Sequence, residues 1–231
     1  MTPPGFASAA LAIARKDLRI EGRTRETTLA SLLFALVVLV VFAFAFGGDA
    51  AQGDRAGAIV PGVLWVTLAF SAIVGFTRSF RLEREDDALA AVALAPVDRG
   101  AVFAGKAIAN FVLLAALEIA LLPLTAVLLN VPIAPVAAPL ALVAAIHTLG
   151  LAALGTLFGA VVARLQRGEA LLATLLLPAA TPLFISAVHC TATAIEGRPL
   201  AADRQWLLLI AGLDVLYVLV ALLLFDAILE D

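Results

Sequence analysis

Residues 27–48 read TTLASLLFALVVLVVFAFAFGG, a run of 22 residues without a charged side chain. A helix needs about 20 predominantly apolar residues to cross the hydrocarbon core of a bilayer. The run therefore predicts a membrane-spanning helix. A cleaved signal peptide has a shorter apolar stretch close to the N-terminus. Because 26 residues precede this full-length run, we expect it to be retained as a span.

The composition of the whole chain agrees with a membrane protein. Hydrophobic residues make up 63% of the 231 residues and charged residues only 14%, against about 25% charged in an average soluble domain. So much apolar surface excludes an ordinary soluble enzyme, which would aggregate. The net charge of −3 argues against binding to nucleic acid. Cys190 is the only cysteine, which excludes an internal disulfide.

Further apolar stretches on the C-terminal side of this run predict an all-α integral membrane protein with six transmembrane helices in a single domain. The stretch 107–163 is too long for one span. It is interrupted at residues 130–135, NVPIAP, because two prolines and an asparagine end a helix and favour a turn. The predicted spans are 27–48, 56–77, 107–129, 136–163, 170–190 and 205–225.

The distribution of basic residues predicts the orientation of the chain. Of the 15 lysines and arginines, 12 lie in the N-terminal segment and in the loops that share its side of the membrane, and 3 lie on the opposite side. Cytoplasmic loops carry the excess of basic residues. Both termini are therefore predicted to be cytoplasmic.

The segment 6–26 is too polar to span a bilayer. Its apolar residues recur at approximately helical spacing, and it carries five basic side chains. Such a composition is typical of a helix that lies in the interface, with its cations near anionic lipid headgroups. The alternative is a basic anchor without a defined helix.

The longest polar stretch is the loop 78–106 between the second and third spans. It contains the mixed charge cluster RLEREDD at 81–87 and a short helix-forming run at 88–95 that Pro96 ends. The pattern suits a short helix that docks on a cytoplasmic partner, although a solvated loop that only enforces topology would look the same. The candidate docking residues are Arg81, Glu83, Arg84, Glu85, Asp86, Asp87, Leu89 and Pro96.

Two acids and one histidine fall well inside predicted spans, away from their ends. Glu118 and Asp214 lie near the middle of the third and sixth spans, and His147 lies in the fourth. An isolated charge in hydrocarbon is costly, so such side chains usually face the bundle interior and often mark function. We interpret the two acids either as a polar, proton-sensitive lining of a substrate path or as protonated groups that hydrogen-bond a neighbouring helix. His147 is expected to be a hydrogen-bonded packing residue.

Two chemical motifs are rejected, and a packing motif is retained. Residues 100–106, GAVFAGK, lack the hydroxyl residue that follows the lysine of a phosphate-binding loop. His189 and Cys190 are neighbours that point apart on a helix, so we predict no metal site. Gly155 and Gly159 place small residues on one face of the fourth span, which permits close helix packing, more plausibly within the chain than in a dimer.

Several segments together resemble one family, the haem exporter protein B family (CcmB), over most of the chain. These segments are RKDL at 15–18, IVPGVLW at 59–65, RSFRLEREDD at 78–87, ALAP at 93–96, GKAIAN at 105–110, LLLP at 175–178 and PLF at 182–184. Within this resemblance, the part from Pro61 to Lys106 is the most specific to the family.

The resemblance implies an ABC-2 type permease with an N-terminal elbow helix and a cytoplasmic coupling helix at about 81–96. Its implied partners are a separate ATPase (CcmA-like) that uses the ATP, a second copy of the chain, and membrane lipid. A haem-handling membrane subunit (CcmC-like) and a periplasmic haem chaperone would act with it indirectly. Haem is the implied substrate, no cofactor is bound stably, and the implied location is the bacterial inner membrane. The chain departs from the haem-handling sister proteins because it lacks their tryptophan-rich loop and has only Trp65 and Trp206.

The alternative function is a secondary transporter that uses Glu118 and Asp214 as proton or cation sites. The chain shows no convincing inverted repeat and few polar residues within its spans, which disfavours that mechanism. The sequence contains no arrangement of residues that is typical of a catalytic site, which disfavours an enzyme.

Overall fold

A computed structural model describes residues 5–50, 56–85, 97–163, 165 and 168–230. These residues contain seven α-helices, two short 3₁₀ turns at Ala134–Val136 and Leu200–Asp203, and no strand. The helices are α1 (Phe6–Thr24), α2 (Glu26–Ala50), α3 (Ala56–Glu85), α4 (Arg99–Leu128), α5 (Ala137–Ala163), α6 (Gly168–Ile195) and α7 (Arg204–Glu230).

Six of these helices, α2 to α7, are long and apolar enough to cross a membrane, which confirms the predicted number of spans. The predicted break between the third and fourth spans is also confirmed. There Asn130 adopts a left-handed backbone conformation with φ of 52°, and Pro135 lies in the 3₁₀ turn that leads into α5. Asparagine tolerates this conformation better than most residues. The prolines within spans, such as Pro178 and Pro182, leave their helix continuous.

The predicted bounds of the loop 78–106 are wrong at both ends. Helix α3 continues to Glu85, and α4 already begins at Arg99. Arginine and glutamate are good helix formers, so a helix continues after it leaves the apolar region. Asp98 caps α4, since its side chain accepts a hydrogen bond from the backbone N–H of Ala101 at 3.2 Å. Of the candidate docking residues, Arg81, Glu83, Arg84 and Glu85 lie on the last turn or so of α3, whereas Asp86, Asp87, Leu89 and Pro96 lie outside the described residues.

Helix α1 packs mainly on α4. Its buried alanines face Gly105, where an added Cβ would come within 2.6 Å of the carbonyl oxygen of Ala10. One residue further, the buried Lys106 forms an ion pair with Asp17 of α1, with Nζ and Oδ2 3.5 Å apart. The residues 100–106 are therefore helical and buried against α1, which agrees with rejecting a phosphate-binding loop there.

The elbow between α1 and α2 is fixed by Glu21. Arg25, between the two helices, has a left-handed φ of 54°, and its N–H donates to the carbonyl oxygen of Glu21. The buried Glu21 carboxylate accepts hydrogen bonds from the backbone N–H and the hydroxyl of Thr28, both at 2.7 Å. A carboxylate at a helix N-terminus satisfies N–H groups that have no partner within the helix and is favoured by the helix dipole. Glu21 thus joins the end of α1 to the start of α2.

Helix α5 is the most buried of the six spans, and α3, α4, α6 and α7 pack around it. Close packing depends on Gly155 and Gly159, where an added Cβ would overlap the rings of Phe76 and Phe80 of α3. The small-residue face predicted for this span is therefore used within the chain. The least buried spans are α2 and α7, whose exposed leucine and valine side chains form a surface suited to lipid.

Candidate functional site

The first buried polar contact joins α4 to α5. The Thr148 hydroxyl donates a hydrogen bond of 2.6 Å to Oε1 of Glu118. Thr148 is fully buried, and Glu118 is 8% exposed. The structure therefore places Glu118 inside the bundle with a partner on the neighbouring helix, as expected for a polar group in a span.

A second contact of the same kind joins these two helices nearer the start of α4 and the end of α5. The Asn110 side-chain amide donates a hydrogen bond of 2.9 Å to the Thr156 hydroxyl. Asn110 precedes Glu118 by eight residues, and Thr156 follows Thr148 by eight residues. The two contacts therefore fit one antiparallel register of α4 on α5. Shifting that register would leave buried polar groups without partners, which is costly.

His147 is packed between aromatic rings. Its ring centroid lies 4.3 Å from that of Trp65 on α3 and 4.8 Å from that of Phe184 on α6. The Trp65 indole N–H donates to the Thr191 hydroxyl at 2.9 Å, which holds the ring in place. Neither nitrogen of the fully buried His147 has a hydrogen-bond partner among the described residues. His147 is thus a packing residue, but the hydrogen bond expected from the sequence is not found there.

Asp214 of α7 lies against α5 at Gly150. A Cβ at Gly150 would overlap Oδ1 of Asp214, so the glycine makes room for the carboxyl group. That oxygen has no hydrogen-bond partner among the described residues. Three residues further along α7, the Tyr217 hydroxyl donates to the carbonyl oxygen of Ala179 on α6 at 2.7 Å.

The three ionisable residues meet α5 in one short stretch but do not form one cluster. Glu118 contacts Thr148, Asp214 contacts Gly150, and His147 itself lies beside them on α5. Successive residues of a helix point about 100° apart, so these contacts face different neighbouring helices. Within the part of the chain that the structure describes, no group of three potential metal ligands is found.

Sequence reasoning missed a groove on the outside of the bundle. The groove has a volume of about 300 Å³ and lies between α3 and α6. We call it the α3–α6 groove. Its lining residues are Trp65, Val66, Ala69, Phe70, Leu177, Thr181, Phe184, Ile185, Val188 and His189. No sequence motif marks it, because its residues come from two helices more than 100 positions apart.

Comparison with known proteins decides the family. The family model described as "CcmB protein" matches residues 8–230, which include nearly all of the seven helices. The chain belongs to the CcmB family. Its match therefore extends well beyond the segments that carry the resemblance in the sequence.

Curated relatives agree with this assignment. The chain is 32% identical over 186 residues to "Heme exporter protein B" of Rhodobacter capsulatus, a match that covers 80% of this chain and 84% of the relative. It is 30% identical over 190 residues to the protein of the same name from Bradyrhizobium diazoefficiens, covering 82% and 84%. The corresponding protein of Paracoccus denitrificans is 33% identical over 175 residues, covering 75% and 78%.

Proposed function

We propose that this chain is the membrane permease subunit of an ABC transporter for cytochrome c maturation. It would couple ATP hydrolysis by a separate, CcmA-like subunit to the export of haem or to the release of a haem-loaded periplasmic chaperone. The observation that carries the proposal is membership of the CcmB family, together with relatives named as haem exporters. The chain itself would hydrolyse no ATP.

The architecture supports a mechanical coupling. The charged end of α3 and the capped start of α4 flank the connection 86–98. The candidate docking residues lie partly at the end of α3 and partly in this connection. A push on this connection would act directly on α4. Helix α4 is joined to α1 through Lys106 and Asp17, and to α5 through Glu118 and Asn110. Movement at the connection would therefore reach the centre of the bundle through packed and hydrogen-bonded contacts.

The proposed setting is the bacterial inner membrane, with both termini in the cytoplasm. The excess of basic residues on the side that includes the 81–84 region supports this orientation. A second copy of the chain and the ATPase would complete the transporter core. A CcmC-like haem-handling subunit and the periplasmic chaperone would act further along the pathway.

The Glu118→Gln variant separates this proposal from a proton-coupled transporter. A glutamine side-chain oxygen still accepts the Thr148 hydrogen bond, whose net value is about 1 kcal/mol. We therefore expect formation of c-type cytochromes to stay within about twofold of the wild-type level. The measurement is haem staining of c-type cytochromes in a strain that lacks its own copy of the gene.

The companion variant is Asp214→Asn, which replaces the second of the two acids that a carrier would use by its amide. Both variants are expected to support cytochrome c formation if the acids act only by hydrogen bonding and packing. Loss of haem-stained cytochromes in Glu118→Gln, with normal amounts of the protein in the membrane, would contradict the permease mechanism and favour a carrier that needs the titratable group.

A further inference from the structure

Helix α1 carries a row of arginines on the face that points away from the bundle. Arg15, Arg19 and Arg23 are four residues apart, so they follow one another along one side of the helix at intervals of about 6 Å. We call them the arginine row, and all three are exposed. The buried residues of α1 lie on the opposite side of the helix. The packing of α1 on the bundle therefore turns the arginine row towards the surroundings of the protein.

The arginine row has no acidic partner among the described residues. Two acids of α1 lie close to it in the sequence, but both are engaged elsewhere. Asp17 pairs with Lys16 at 2.9 Å and with the buried Lys106 at 3.5 Å. The Glu21 carboxylate accepts the two hydrogen bonds from Thr28. The fold thus presents three neighbouring positive charges without compensation from the protein that the structure describes.

The position of α1 along α4 puts the arginine row at the level of lipid headgroups. Helix α1 lies against α4 at Gly100, Gly105 and Lys106, which precede the uncharged stretch that begins at residue 107. With 30 residues, α4 is about 45 Å long and exceeds the hydrocarbon core of about 30 Å. Its first turns therefore extend beyond the hydrocarbon, and α1 packs on those turns. The next span, α2, begins directly after α1 at Glu26.

Apolar side chains flank the arginine row. Leu11 and Ile20 are 46% and 45% exposed, and the helical period places them on the two sides of the row. Helices that combine cations with exposed apolar residues bind at membrane interfaces, where the apolar side chains enter the acyl boundary and the cations meet anionic headgroups. This combination favours a lipid surface over an acidic protein, which would need only the charges.

We propose that the arginine row of α1 is a binding site for the phosphate headgroups of anionic phospholipids. A guanidinium group forms paired hydrogen bonds with a phosphate and keeps its charge at any physiological pH. Because Asp17 and Lys106 join α1 to α4, a headgroup bound at the row ties the start of α4 to the membrane surface. The site is separate from the candidate docking residues at the end of α3, and it does not depend on which cargo the transporter carries.

The test is a titration of the lipid-depleted, full-length chain in an uncharged detergent with phosphatidylglycerol and, separately, with phosphatidylcholine, which has no net charge. Native mass spectrometry measures the fraction of the chain that retains a lipid. The wild type is expected to bind phosphatidylglycerol about tenfold or more tightly than phosphatidylcholine, since each basic residue near an anionic surface strengthens binding by about fivefold. Higher salt concentrations should reduce this preference.

Arg19→Glu reverses the charge at the centre of the arginine row and should reduce the preference for phosphatidylglycerol by about fivefold or more. The matched control is Arg204→Glu on α7, an exposed arginine that likewise has no ion pair among the described residues. This control should bind both lipids like the wild type. A triple variant with Arg15, Arg19 and Arg23 replaced by glutamine removes the charges without adding an acid. It should lose most of the preference and still fold, because these side chains are exposed.

Equal binding of the two lipids by the wild type would overturn the proposed site. The same lipid preference in Arg19→Glu and Arg204→Glu would also overturn it. If the variants of the arginine row keep the lipid preference but lose a protein that purifies with the wild-type chain, the row binds a protein instead, and the lipid site is refuted.

Discussion

Gly155→Ala is expected to reduce the free energy of unfolding by about 2 kcal/mol or more, the range seen when extra atoms enter a well-packed core. An added Cβ would overlap the ring of Phe76, which is buried between α3 and α5 with 2% of its surface exposed. Since α5 lies at the centre of the bundle, the ring has little room to move. The measurement is the thermal unfolding midpoint in detergent, followed by size-exclusion chromatography with fluorescence detection.

Gly212→Ala is the matched control. Gly212 lies on the exposed face of α7, and nothing lies within 4 Å of the Cβ that alanine would add. Alanine favours a helix by about 1 kcal/mol relative to glycine, so this variant should be as stable as the wild type or more so. The double variant Gly155→Ala with Phe76→Leu should recover part of the loss, because a smaller side chain replaces the ring. Equal stability of Gly155→Ala and Gly212→Ala would contradict the packing of α3 against α5.

Asp17→Asn is expected to cost about 2 kcal/mol of stability, because it removes the charge from a carboxylate that pairs with the buried ammonium group of Lys106. Lys106 is only 4% exposed, and its Nζ lies 3.5 Å from Oδ2 of Asp17. The same substitution should loosen α1 from α4, since this ion pair joins the two helices. The measurement is again the unfolding midpoint, together with the rate of proteolysis within α1.

Glu26→Gln serves as the control for charge removal. Glu26 pairs with Arg78 at 3.7 Å, but both side chains are at least 37% exposed, and exposed pairs contribute about 0–1 kcal/mol. The double variant Asp17→Asn with Lys106→Met removes both charges and should be more stable than Asp17→Asn alone, because it no longer buries the ammonium group. If Asp17→Asn and Glu26→Gln have equally small effects, α1 is not held to α4 by this ion pair.

The sequence predicts the spans well because hydrocarbon imposes a strict length and composition. The uncharged run 27–48 is confirmed as most of α2, and the interruption at 130–135 is confirmed as the turn before α5. The polar loop after the second span was predicted less well. Charged residues end a hydrophobic run, but they do not end a helix, so α3 continues to Glu85.

The pairing of side chains could not be predicted in the same way. A single sequence marks Glu118 as unusual, but it does not show that Thr148 is its partner, because that contact depends on how α4 lies on α5. Lys106 was assigned to a polar loop, yet the fold buries it against Asp17. Likewise, nothing in the sequence links Trp65 to His189. Contacts between distant helices depend on three-dimensional packing, which hydropathy and spacing do not specify.

The central claim is that a separate ATPase drives this chain through the region between α3 and α4. The most direct test is purification of the tagged chain from its native membrane in mild detergent, with mass spectrometry of the bound proteins. Reversal of Glu83, Glu85 and Asp87 to lysine changes the charge that would steer docking. Glu196→Lys, at an exposed position on the opposite end of the bundle, is the matched control.

The account predicts that a cytoplasmic ABC ATPase purifies with the wild-type chain and with Glu196→Lys, and that it is lost when Glu83 and Glu85 at the end of α3, together with Asp87, are reversed. The result that would contradict the account is a wild-type chain that purifies without any ATPase, under conditions in which other ABC transporters of the same membrane remain intact.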